Sequence, residues 1–306
     1  MTSPSRAQRV AGIVGLVVLV LAAGVSVFVQ TWDARRMPSA DVARAANAVI
    51  ADGFRDGDVV RAEPWWFDDA RLGLPGVPFL MSRDIDPWDL PLHTRLWITA
   101  PRTHDDEADR AIAAIEAPET AYDERGWRVV VGPVATDDVV HADAWRDLDD
   151  AVVTRVGANG RERRCDTWLQ SAWHCGRFDQ YLYVGRADRE LDDSYQRCVS
   201  ANALPDGDRW RIEWADVPLG EQLRLRAANT MWAVRHTRGA PVHFRLSLDG
   251  TIVAERAFEI DELPVHEVTF DTAGRTGSVG DVQVEIHTED HLDRYFCFRW
   301  QTVSPR

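Results

Sequence analysis

Residues 242–258 read VHFRLSLDGTIVAERAF, and this stretch decides the fold class. Two alternating runs flank Leu248-Asp249-Gly250-Thr251. Asp-Gly tolerates the positive φ angles of a type I′ turn, so the stretch predicts a tight β-hairpin. Working outward, similar runs recur as AVVTRV, YLYVG, RWRIEWADV, QLRLRAA, VHEVTF, VQVEIHT and YFCFRW, separated by turn signals. Gly274, Gly277 and Gly280 fall in one loop before a strand. From about Val139 onward no helix longer than three turns is apparent. Many short strands with few helices predict an antiparallel β-sandwich of jelly-roll type over residues 139–306.

The preceding hundred residues have a different rhythm. Asp41–Phe54 places apolar residues at helical spacing, with Ser39 or Asp41 positioned to cap its start. Asp58–Ala62 reads as a short strand, Arg95–Thr99 as a second and Trp127–Val131 as a third. Asp105–Ala117 is acidic at its start and apolar at Ala108, Ile112 and Ile115, which predicts an amphipathic helix favourable to the macrodipole. Helix, strand, strand, helix, strand predicts a small α/β domain with parallel pairing over residues 37–138. The fold class is therefore α+β and multidomain: an N-terminal anchor and connector over residues 1–36, the small α/β domain, then the sandwich.

The anchor is read from Val10–Val29, an uncharged apolar run. As a helix of about 20 residues it spans about 30 Å, the thickness of a bilayer's hydrocarbon core. The apolar region of a cleaved signal is shorter, about 7–15 residues, and Phe28 and Gln30 make a poor small-residue cleavage site. The expectation is an uncleaved transmembrane signal anchor. No lipobox cysteine follows it. Arg6 and Arg9 before the run, against Arg35 and Arg36 after it, give a weak preference for a cytoplasmic N-terminus. The body then lies on the extracytoplasmic, periplasmic side.

Four cysteines, Cys165, Cys175, Cys198 and Cys297, suit that compartment. Three pairings are open to them. The favoured one joins Cys165 to Cys175 and Cys198 to Cys297. On loop entropy the long crosslink is worth roughly 4–5 kcal/mol and the short one somewhat under about 3.

Composition removes several functions. The formal net charge is −14 over 306 residues, and all 35 basic residues are Arg. A chain without Lys has no P-loop lysine, Schiff-base lysine or Ser-Lys dyad. The acidic body repels phosphate backbones, which makes nucleic acid a poor partner. There is no G-x-S-x-G, G-x-G-x-x-G, H-E-x-x-H or zinc-type cysteine spacing. His266-Glu267 starts like a metalloprotease motif, but Phe270 stands where the second His belongs. Asp84-Ile85-Asp86 is a D-x-D of the kind expected by chance among 49 acids. His287, Asp290, His291 and Asp293 are the densest set of potential ligands. Their flanks read as strands, where a separation of four residues is about 13 Å, too far to share a metal. The expectation is an exposed hairpin tip, with no metal and no cofactor.

From Arg197 to the end, the order of strands resembles a galactose-binding-like β-sandwich. The parts that carry it are RCVSAN, RWRIEW, VPLGEQLRLRA, PVHFRLSLDGTIV, VHEVTFDTAG, VQVEIHTED and YFCFRW. That resemblance implies an extracytoplasmic sandwich of a kind that often binds sugars. Separately, GDVVRAEPWWFDDAR from Gly57 and HTRLWITAPR from His93 resemble the soluble C-terminal region of bacterial membrane glycosyltransferases that use lipid-linked sugars. Those enzymes carry many spans and an acidic catalytic loop. This chain has one apolar run and no such loop, so an accessory or detached domain is implied at most.

Thirteen Trp is a high content. Indole faces stack on the apolar faces of sugar rings while Asn, Asp and Arg take the hydroxyls. The candidate ligand site is therefore Trp210, Trp214 and Trp232 with Asn229, Arg235 and His236, all within the sandwich segment. The reading favours a membrane-anchored envelope protein that binds a glycan or a partner protein without catalysis. The alternatives are an accessory or enzymatic part in a lipid-linked-sugar glycosyltransferase system, and a structural envelope protein with no ligand.

Overall fold

The computed structural model describes residues 16, 18–26, 38–66, 71, 73–175, 182–192, 194–205 and 207–306. It divides into two compact units, residues 1–80 with 95–133, and residues 81–94 with 134–306. The second unit thus takes residues 81–94 and 134–138, which the sequence reading assigned to the small α/β domain.

In the first unit, α1 (Ala40–Gly53) buries Ala43, Ala46, Asn47 and Ile50, one helical stripe. Ser39 occupies its N-cap position without a side-chain bond. The sheet is ordered β1-β2-β4-β3, from β1 (Asp58–Ala62), β2 (Arg95–Pro101), β3 (Glu119–Glu124) and β4 (Trp127–Pro133). Only β1 and β2 run parallel; β4 is antiparallel to both β2 and β3. The expected parallel pairing holds for β1 and β2 and fails for β4, because the sequence reading lacked β3, an edge strand whose residues ETAYDE are all at least partly exposed and so show no apolar alternation. It joins β4 through Arg125-Gly126, both at positive φ (52° and 80°), the geometry of a tight hairpin. α2 (Asp105–Ile112) ends before the expected Ala117. Ala114 and Ile115 donate to carbonyls three residues back, which tightens the final turn out of α geometry. Below the sheet, Trp127 Nε1 donates to Thr99 Oγ1 at 2.8 Å, and Thr99 Oγ1 donates to Asn47 Oδ1 at 3.1 Å.

The second unit is two antiparallel sheets around one core. The six-stranded sheet is ordered β15-β14-β17-β12-β6-β7. Its members are β6 (Val152–Val156), β7 (Glu162–Arg164), β12 (Arg209–Pro218), β14 (Val242–Leu248), β15 (Thr251–Phe258) and β17 (Val279–His287). The eight-stranded sheet runs β16-β13-β18-β11-β10-β9-β8, with β5 also paired to β18. These are β5 (Asp138–Asp143), β8 (Thr167–Leu169), β9 (Ala172–His174), β10 (Val184–Leu191), β11 (Ser194–Asn202), β13 (Gln222–Asn229), β16 (His266–Asp271) and β18 (Tyr295–Pro305). Alternate residues of facing strands, among them Trp210, Ile212, Phe244, Val284, Phe298 and Trp300, form one apolar cluster. This is the expected β-sandwich. β17 and β18 belong to different sheets, so the His287–Asp293 stretch is a crossover between sheets and not the expected hairpin tip.

β18 is buried on both faces, and its second face is polar. Residues 81–94 lie against that face as a strap with a 3₁₀ turn at Leu90–Leu92. Arg299 donates from Nε to Asp143 Oδ2 at 2.8 Å and from Nη1 to Asp89 Oδ1 at 2.6 Å. Arg226 Nη1 donates to Asp86 Oδ2 at 2.6 Å, and Gln301 Nε2 to the Trp88 carbonyl at 2.8 Å. Arg224 and Arg226 lie over the Trp88 ring at 5.0 and 4.9 Å. Buried charges persist only when each is paired in this way.

Disulfides join Cys165 to Cys175 and Cys198 to Cys297, the favoured pairing. The apolar run Val10–Val29 lies partly outside the described residues. Among the described residues, no helix is long and apolar enough to cross a membrane.

Candidate functional site

Six residues were expected to form a ligand platform, and the structure separates them. Trp210 and Trp214 sit on β12 with 1% and 3% of their surface exposed. Their spacing does put both on one face of the strand, but that face is the sandwich interior. Trp214 meets Trp300 edge-on at 5.1 Å, and Trp210 Nε1 donates to the Asn202 carbonyl at 2.7 Å. Neither offers a ring face to a ligand. Asn229 is also buried and donates from Nδ2 to the Glu259 carbonyl at 2.8 Å, holding a loop.

The other three come together on α3 (Met231–His236). The Thr230 hydroxyl caps this short helix by accepting from the Ala233 N–H. Met231, Ala233 and Val234 face inward, which turns the remaining positions outward. Trp232 is 57% exposed. Its ring stacks on His236, four residues on, with centroids 4.0 Å apart and planes 28° from parallel. His236 Nδ1 lies 2.8 Å from the Trp232 carbonyl, which fixes the imidazole against the indole. Arg235 reaches Glu190 at 3.5 Å and stays largely in solvent.

The loop leading into β18 holds this helix in place. Arg294 donates from Nη2 to the Ala233 carbonyl at 3.1 Å and from Nη1 to the Ile260 carbonyl at 3.2 Å. Burial draws Arg294 below the ordinary arginine value, against the opposing pull of Asp293 and Asp290. The same loop lines an open cleft of about 340 Å³ together with Asn202, His291, Leu292, Asp293 and Tyr295. That volume is at the small end of ligand sites. His291 and Asp293, read in the sequence as metal-like, are thus lining residues of a cleft. No group of three metal-ligating side chains gathers among the described residues. Asp86 of the D-x-D belongs to the strap, ion-paired to Arg226.

Sequence reasoning missed two features. The strap is one, since nothing in DIDPWDL signals a buried partner. The other is on the outer face of the six-stranded sheet, where His243 and His287 are direct cross-strand neighbours. The period-two alternation of VHFRLSL and VQVEIHT puts both side chains on one face, so that pairing was within reach of the sequence once the strands were known to be adjacent.

No family model and no curated protein matches the chain. Among solved structures, one is CBM51-2 with GlcNAc and INT domains from Clostridium perfringens ZmpB. It is 12% identical with a TM-score of 0.30, covering 58% of this chain and 44% of that one. The present chain thus spans less than half of that structure. A CBM51 from the C. perfringens GH95 protein, in complex with methyl-galactose, is 12% identical at a TM-score of 0.27, covering 61% and 94%. The C-terminal domain of EclA, a sugar-binding protein, is 18% identical at a TM-score of 0.24, covering 45% and 91%. Likenesses this distant assign neither a family nor a ligand. The comparisons give no support to the glycosyltransferase resemblance.

Proposed function

We propose that the sandwich unit is a non-catalytic glycan-binding module of the cell envelope, with Val10–Val29 as its single membrane span and the body on the extracytoplasmic side. The observation that carries the reading is the solvent-facing Trp232 ring, braced by His236 on a helix that Arg294 clamps to the sandwich. A large aromatic face that is exposed yet held rigid costs little conformational entropy on binding a sugar ring. Arg235, and the polar groups of the adjoining loop, are hydrogen-bonding partners for hydroxyls. Two disulfides suit an oxidising compartment. The site is narrowed to Trp232, Arg235 and His236, because Trp210, Trp214 and Asn229 are interior.

The test is a glycan array on the full-length protein in non-ionic detergent, followed by calorimetry of the best ligand. Trp232→Ala is expected to weaken binding several-fold, matching a stacking loss on the order of 1 kcal/mol. Folding should be intact, because the indole is exposed. EDTA should leave binding unchanged. Equal affinity in wild type and Trp232→Ala overturns this site. Absence of any glycan ligand overturns the function and leaves partner binding in its place.

A further inference from the structure

The outer face of the six-stranded sheet carries a second cleft, of about 440 Å³, unconnected with the Trp232 helix. Cross-strand register builds it in rows. Arg209, His287 and His243 lie side by side on β12, β17 and β14. The next row is Arg211, Glu285, Arg245 and Glu255 across β12, β17, β14 and β15. In that second row the charges are matched. Glu285 is shared between Arg209 at 3.6 Å and Arg245 at 3.4 Å, Arg245 also reaches Glu255 at 2.6 Å, and Arg211 is held by Glu162 at 2.8 Å.

The histidine row is different. The two imidazoles are stacked 4.7 Å apart and 13° from parallel. Among the described residues, neither has a hydrogen-bond partner. Burial, then His243 and Arg209, push His287 below the ordinary histidine value, against the opposing pull of Glu285. The charged lining is Arg209, Arg245 and Arg256 against Glu255 and Glu285, and Arg256 is held by Glu262 from outside the lining and lies 2.9 Å from His266 Nδ1, so with both rings neutral every guanidinium is already engaged by a carboxylate. With both rings protonated, two cations face each other beside Arg209, an arrangement that repels itself unless an anion lies across it.

We propose that this cleft binds an oxyanion across His243 and His287, with Arg209 beside them, and that the imidazoles take up protons as it binds. The oxyanion is either the carboxylate of an acidic sugar or a free inorganic anion. Nε and Nδ donors of two stacked imidazolium rings, plus a guanidinium, form a cluster of charge-assisted donors matched to such a group. The site is independent of the glycan reading at Trp232, and either can fail without the other.

The experiment is calorimetry of the full-length protein in non-ionic detergent with glucuronate, sulfate and glucose, at pH values between about 5.5 and 8. Glucuronate or sulfate is expected to bind more tightly as pH falls, by roughly tenfold per pH unit for each proton taken up. The observed heat should change with the ionisation enthalpy of the buffer. Glucose should not bind here. Binding of both anions identifies a general oxyanion site, and binding of glucuronate alone identifies an acidic sugar; each supports the proposal. His243→Gln and His287→Gln should each flatten the pH dependence. The imidazole titrations of the unmutated protein, followed by NMR, should move to higher pH with saturating anion. Titrations that do not move, or anion affinity that is the same across the range, overturn it.

Discussion

Arg299 is the side chain on which the polar face of β18 depends. It is 0% exposed and lies between Asp143 and Asp89. Burial works against its charge, but the two carboxylates outweigh that and raise it above the ordinary arginine value. Burial likewise tends to raise Asp89, and Arg299, Arg197 and Arg226 outweigh it, holding that carboxyl below its usual range. Arg299→Ala would leave Asp143 buried without its cation and Asp89 with only the more distant Arg197, 3.8 Å away, and a loss of about 3–5 kcal/mol in urea unfolding is expected. Arg102→Ala, which removes a solvent-exposed partner of Asp123 and Asp105, should cost under about 1 kcal/mol. The depressed Asp89 also fixes a pH dependence. An unfolded Asp titrates near about 3.9, so between that value and the lower folded one the unfolded chain binds more protons and stability rises with pH. The contribution is complete above about pH 5 and is lost as pH falls through the folded value. Asp89→Asn should therefore be less stable than wild type at neutral pH, and should lose stability less steeply below about pH 4. None of this pairing was legible in the sequence, because Asp89 and Arg299 are 210 residues apart and nothing local to either signals the other.

At the scale of elements, the legible parts were those whose information is local. The Asp249-Gly250 hairpin formed with both residues at positive φ (49° and 74°), because turn chemistry is written in adjacent residues. The stripe of α1 was legible for the same reason. β3 was not, because an exposed edge strand has no inward face to betray it. The crossover after His287 was read as a hairpin because alternation marks a strand without naming its neighbour. On the candidate site, Trp210 and Trp214 show the limit: period two says which residues share a face, and burial decides whether that face meets solvent or core. Tight approaches between elements are likewise invisible in the sequence. Gly220, between β12 and β13, is such a place, since a Cβ there would fall 2.2 Å from the Val303 carbonyl oxygen and 2.5 Å from its carbon. Backbone cannot yield as a side-chain tip can, so Gly220→Ala is expected to destabilise by about 1–3 kcal/mol. Gly274 has nothing within 4 Å of its virtual Cβ, and Gly274→Ala is the matched control that should be neutral or slightly stabilising. Thermal melts of the two variants decide the point.

For the second unit as a whole, the two disulfides divide the labour unequally. Cys198–Cys297 closes a separation of 99 residues, and Cys165–Cys175 one of 10. In the folded state Cys198 and Cys297 lie on β11 and β18, which are already hydrogen-bonded neighbours, so the crosslink adds little to native contact. Its effect falls on the unfolded chain, where it forbids most of the separations that the intervening strands could otherwise explore. By the loop-entropy relation the long crosslink is worth about 4.7 kcal/mol and the short one about 2.7 kcal/mol, a difference of about 2 kcal/mol. Replacement should also open some space, because Cys198 and Cys297 pack with Leu191 and Ala228 in a small apolar cluster, with Val265 against it. The paired variant Cys198→Ala/Cys297→Ala should therefore lose more stability than Cys165→Ala/Cys175→Ala, and by at least that entropic margin. Chemical denaturation of both variants beside the oxidised wild type gives the comparison directly. The denaturant slope supplies an internal check, since releasing the long loop exposes a more expanded unfolded chain and should steepen it more than releasing the short one. If the two paired variants unfold at the same denaturant concentration with the same slope, the long crosslink is not constraining the unfolded chain.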